Sequence, residues 1–180
     1  MKKFLFATLI AALPYAYAVT TQTYAGQEKR NIKALSTDEV NSLLAGKGMG
    51  LAKAAELNGF PGPAHVLELS KELVLSDDQK EKTKVLFEIM DASAKKKGAE
   101  LVAAEQELDA LFKSKQITVE TLNVQLQKIA SLQAQVRASH LAAHLEQTSL
   151  LTVAQVTKYN EFRGYTSNQP AGHEHGKAHH

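Results

Sequence analysis

Between Ser76 and Pro170 the chain carries no proline, and Gly98 is the one glycine before Gly164. Proline removes a backbone donor and clashes with the preceding turn, so a stretch this long without it is free to run as uninterrupted helix. Leu86, Ile89, Met90, Leu101, Ala104, Leu108 and Leu111 fall on one stripe at ~100° per residue, which predicts a helix from about Asp77 to Phe112. "KSKQIT" then reads as a turn and Thr118 as the N-cap of a second helix, about Val119 to Ser149, with the stripe Leu122, Leu126, Ile129, Leu132 and Val136. At ~1.5 Å per residue each helix runs to roughly 45 to 55 Å, far longer than a compact core requires. The predicted fold is all-α: an extended antiparallel helical hairpin with short flanking helices.

The flanking helices announce themselves by their caps. Ser36-Thr-Asp-Glu39 is a capping box, and Gly46 stops the short helix it starts. "GKGMGLAKAAELNGFPGP" follows as a hinge-like connector, with a turn or two of helix around Leu51 to Leu57. A short amphipathic helix is expected from Ala64 to about Leu73, with Val66, Leu69 and Leu73 on one face. Ser76-Asp-Asp-Gln79 and Thr152-Val-Ala-Gln155 are two more boxes, the latter opening a last helix with Val156, Tyr159 and Phe162 inside and Gly164 at its close. Beside Gly98, Lys97 lies near the apolar stripe, and the hairpin is expected to bend or widen there.

The start of the chain sets its destination. Lys2 and Lys3, an apolar run from Phe4 to Leu13 and the small-x-small Ala16-Tyr17-Ala18 predict a secretory signal over 1–18, cleaved after Ala18, with Ala25 the alternative point. The run is too short, and too soon broken by Pro14, for a bilayer crossing of ~20 residues, so no stable membrane insertion is expected and the mature protein should be periplasmic. The whole chain has 21 basic and 19 acidic residues, so without Lys2 and Lys3 the mature chain is neutral. A neutral chain with few aromatics does not fit a nucleic-acid binder. Lys80, Lys82, Lys84 and Lys95 to Lys97 could attract acidic unfolded chains, but they are nearly matched by acids on the same helix and read rather as a solvated face.

Enzyme chemistry finds no purchase. There is no cysteine nucleophile, no glycine-rich phosphate loop between a strand and a helix, and no serine elbow. The helical zinc-protease motif needs a glutamate after its first histidine, where this chain has Leu141.

"HLAAHLEQTSLLTVAQ" raises a narrower question. His140 and His144 lie one turn apart and, on a wheel with Leu122 at zero, at ~0° and ~40°, inside the apolar stripe. With the turn centred near residues 115 and 116, His140 falls opposite Met90 and Asp91, and His144 opposite Phe87 and Glu88. The pair fits two roles. It is one side of a divalent transition-metal site (Ni, Co, Cu or Zn) completed by some of Met90, His65 and Glu68, or it is two core histidines satisfied by hydrogen bonds or exposed at a dimer seam. His173, His175, His179 and His180 lie in a tail, 166–180, expected to be disordered and to bind metal weakly. No cofactor is required by either role.

A signal peptide, no cysteine, a long helical hairpin and two L-[ST]-x-x-Q boxes, Leu75 to Gln79 and Leu151 to Gln155, resemble the Spy/CpxP superfamily of periplasmic stress proteins. The second box matches the L-T-x-x-Q pattern fully; the first has Ser76 in place of Thr. The resemblance covers 64–165, and 19–63 stands outside it as an N-terminal extension. It implies a cradle-like homodimer of bent hairpins that binds unfolded clients without ATP. It also implies kinship with heavy-metal sensor and resistance proteins, which take His and Met ligands from such helices. Three functions follow as expectations: a client-binding envelope-stress protein, with or without metal control; a periplasmic metal sensor or metal-binding resistance protein; and a structural helical module that binds one partner.

Overall fold

The computed structural model describes residues 23–166, and its only regular structure is helical. A 3-10 turn, Gln27–Lys29, precedes α1 (Thr37–Leu44), α2 (Lys53–Glu56), α3 (Pro63–Glu68), α4 (Asp77–Lys113), α5 (Val119–Leu150) and α6 (Val153–Phe162). The signal segment 1–18 and the tail histidines His173, His175, His179 and His180 lie outside the described residues. No helix among the described residues is long and apolar enough to cross a membrane.

Capping fixes where the helices begin. Ser36, Ser76, Thr118 and Thr152 each accept the backbone N–H three residues on, while Glu39, Gln79, Thr121 and Gln155 reach back to the cap. The two boxes at the hairpin base also join one another. Gln79 Nε2 donates to Gln155 Oε1 at 2.9 Å, and Gln155 Nε2 returns a bond to Gln79 Oε1 at 3.0 Å. Gln79 Nε2 also reaches the Leu150 carbonyl and Gln155 Nε2 that of Leu73, so the N-termini of α4 and α6 are stitched side by side.

α4 and α5 pair antiparallel in the expected register. Thr83 meets Gln147, Ser93 meets Ser139 and Glu107 meets Gln125 by side-chain hydrogen bonds, pairs that all centre on Lys115 and Gln116. The tip turn takes Lys115 through a left-handed φ of 57°. On α4, Lys80, Lys82, Lys95 and Lys97 each pair with an acid one turn away, as a solvated face does.

The N-terminal segment is part of the core. Ile32 and Leu43 are buried together with Leu101, Val102 and Ala104 of α4 and Ile129, Leu132 and Val136 of α5, with Leu35, Val40 and Leu51 at the margin. This explains Gly98. α4 runs through it without a break, and an added Cβ would overlap the Leu43 carbonyl, so the glycine lets the end of α1 cross against the α4 backbone. A second cluster, Val66, Leu73, Leu75 and Tyr159, fastens α3 and α6 at the base.

Four expectations need correction. Phe162, expected on the inner side of α6, is 52% exposed at that helix's last position, and Tyr159 is the one buried residue of α6. Ile89 is 64% exposed and Leu126 47% exposed, although both fall on the stripes read from sequence. With α1 packed at Gly98, the buried face of α4 turns toward Ala94, Gly98, Val102 and Glu105, leaving Ile89 on the far side; α5 buries Gln125 and Ala143, so Leu126 sits at the edge. α3 ends at Glu68 rather than Leu73, because the chain must turn back into α4 at Ser76. Residues 69–74 do this in turns, with Val74 at φ 51°, and both Leu73 and Leu75 end up buried. The connector is not an open hinge, since Pro61, Gly62 and Pro63 are buried.

Candidate functional site

α5 brings His140 and His144 to the hairpin face that the connector covers, and α4 brings Phe87, Met90 and Asp91 opposite them, as the register predicts. The glycine loop 46–50 closes one side: Gly46 and Gly50 take positive φ, and Met49 is held at φ 43°, an uncommon conformation for a side chain of its kind. Gly62 to His65 and the residues after α6, Arg163 and Tyr165, complete the wall. The result is a cavity of about 600 Å³.

His144 is fixed on one side. Its Nδ1 stands 2.7 Å from the Phe60 carbonyl oxygen, which can only accept, so Nδ1 carries the hydrogen and the Nε2 lone pair is left for another partner. Glu56 Oε2 lies 3.6 Å from the same Nδ1 and has no hydrogen-bond partner among the described residues. The other carboxylate oxygen, Oε1, accepts from the Tyr159 hydroxyl at 2.7 Å, from Arg163 Nε at 3.2 Å and from the Tyr165 hydroxyl at 3.2 Å. Burial, then the bond to Glu56, pushes the Tyr159 hydroxyl well above its usual range, so it stays a donor. A backbone carbonyl behind an imidazole is one of the arrangements that orient metal-binding histidines.

His140 is 4% exposed, and its Nε2 is buried with no partner among the described residues. Burial first, then the neighbouring His144, lowers its imidazole pKa, which keeps the ring neutral at pH 7. The edge carrying Cε1 and Nδ1 faces Gly48.

Four of the five residues named from sequence therefore meet at one cavity: His140, His144, Met90 and His65. Glu68 does not line it; it stays exposed on α3 and holds His65 Nδ1 at 2.7 Å from Oε2. Among the described residues no three His, Cys, Asp or Glu side chains converge closely enough to hold a metal ion. Sequence reading missed Met49, Glu56 and Arg163. Met49 carried a faint signal, a lone thioether in the glycine run; Glu56 and Arg163 carried none.

A second feature lies on the uncovered side of the hairpin. Val85, Leu86 and Ile89 of α4 and Leu150 of α5 line an apolar groove of about 480 Å³ rimmed by Glu81, Lys82 and Glu146. Val85 is 45% exposed. Leu145, exposed as well, sits one turn before the groove residue Ser149. No family model, curated protein or solved structure matches the chain.

Proposed function

We propose that this protein is a periplasmic envelope-stress protein of Spy/CpxP type that binds unfolded or misfolding clients without ATP, acts as a homodimer and is not an enzyme. The observation that carries this reading is the groove in which exposed Val85 and Ile89 stand beside buried Leu86 and half-buried Leu150. A thin hairpin covered on one side by α1 to α3 keeps apolar surface in water on the other, and such surface suits transient capture of apolar segments. The acids and lysine at its rim keep the surface soluble between encounters.

The test is a light-scattering assay of a destabilised client, with neither ATP nor metal, using the mature chain. Aggregation should be delayed, and Ile89→Asp with Val85→Asp should remove the delay while leaving the helical signal intact, because both side chains are exposed. Absence of any delay at several-fold molar excess would sink the reading. Sedimentation checks the dimer.

A second reading rests on a different observation, the shared cavity of His140, His144, Met90 and His65, with Met49 added. Neutral imidazoles and thioethers suit a late transition metal. Calorimetric titration of nickel, cobalt, copper and zinc into protein ending at Thr166 would show binding that His140→Ala and His144→Ala both weaken. If neither variant changes the affinity, the pair belongs to the core.

A further inference from the structure

The cavity carries a charge pattern that neither reading uses. Its two carboxylates are answered: Glu56 by Arg163 and two tyrosine hydroxyls, and Asp91 by Lys95 at 2.7 Å. Its two lysines are not, for Lys47 and Lys53 make no ion pair among the described residues. Lys53 folds back over the glycine loop, with Nζ 3.6 Å from where a Cβ of Gly50 would stand. The uncompensated charge at this cavity is positive.

The rest of the lining is apolar and soft. Met49, Leu57, Phe87 and Met90 all face the space, and each keeps some exposed surface with which to touch a ligand. Thioethers favour the edges of aromatic rings, and a phenyl side chain favours an offset or edge-on ring. A volume of about 600 Å³ lies within the roughly 300–1,000 Å³ of small-molecule sites. His140 adds a buried polar atom, Nε2, that has no partner among the described residues.

We propose that this cavity binds a small aromatic carboxylate, its ring among Met49, Phe87 and Met90 and its carboxylate paired with Lys47 and Lys53. The chemistry excludes the nearest competitors. A neutral aromatic forgoes both ammonium groups, and inorganic phosphate forgoes the apolar wall, whereas a benzoate-like anion satisfies the two together and is ionised at neutral pH. The proposal is independent of client binding, which uses the opposite side of the hairpin.

The test follows 2-naphthoate fluorescence and calorimetry with the mature full chain in a chelator-treated buffer. Saturable one-to-one binding is expected, with 2-naphthamide at least about tenfold weaker, the loss expected for one charge-assisted contact. Lys47→Gln with Lys53→Gln should weaken naphthoate by about tenfold with an unchanged melting curve, since both lysines are exposed. Met90→Gln should weaken naphthoate and naphthamide alike, and Ile89→Ser should change neither. Equal affinity for the amide, indifference to the lysine changes, loss in Ile89→Ser (adsorption in the groove) or a requirement for added nickel or copper would each overturn the proposal.

Discussion

Gly62 lies so close to His144 that a Cβ on it would stand 2.8 Å from Cε1 and 2.9 Å from Nε2 of the ring. The backbone there is extended, φ −88° and ψ 144°, which alanine adopts freely, so the ring alone requires the glycine. Gly62→Ala should cost about 1–3 kcal/mol by overpacking. The loss should largely vanish in a His144→Ala background. Urea unfolding of the four proteins in the cycle checks this; equal losses in both backgrounds would mean that the ring is not what the methyl meets.

Gln79 and Gln155 exchange amide hydrogen bonds while each closes its own capping box. Gln79→Ala and Gln155→Ala should each cost on the order of 1–2 kcal/mol. The double variant should cost less than the sum by at least ~0.5 kcal/mol, because the first substitution already removes the shared pair. Strict additivity in denaturant titrations would argue against the clasp.

At Gly98 two effects oppose each other. Alanine favours a helix interior by ~1 kcal/mol over glycine. Against that, a Cβ there overlaps the Leu43 carbonyl. Backbone cannot swing aside as a flexible side chain does, so the clash should win. Gly98→Ala is expected to lower stability and to lose amide-exchange protection over Thr37–Leu44, while α4 and α5 keep theirs.

His140 supplies a pH dependence with a definite sign. Its folded-state pKa is lowered, by burial and by His144, so as pH falls through ~6.5 the unfolded chain takes up a proton that the folded chain refuses. Its contribution is fully present above that value and is lost progressively below it. Unfolding free energies measured from pH 7.5 to 5.5 should fall less steeply in His140→Leu than in the parent.

Much of the hairpin was legible because its signals are local. The stripes, the caps at Ser76, Thr118 and Thr152 and a short turn at residues 114–117 fix both helices and their register, and with the register the meeting of His140, His144, Phe87 and Met90. What lay beyond reach depends on what packs against the hairpin. Ile89 and Leu126 have the right period, but the side of a helix that is buried follows its neighbours, and nothing local says that α1 would settle at Gly98. Glu56 and Met49 reach the cavity through irregular backbone, which has no period to read. Glu68 was placed by spacing alone, yet its turn of α3 looks outward.

The clasp of Gln79 with Gln155 joins positions 76 residues apart at the end of the hairpin remote from its turn. The hairpin is thus closed at both ends, by covalent chain at the tip and by paired amides and the Val66, Leu73, Leu75 and Tyr159 cluster at the base. Peptide continuity at Lys115 and Gln116 is then redundant for shape, although it still lowers the entropic cost of bringing the two helices together. Two separately expressed fragments, cut between those residues, should complement each other into a helical complex, held at the end that was never cut.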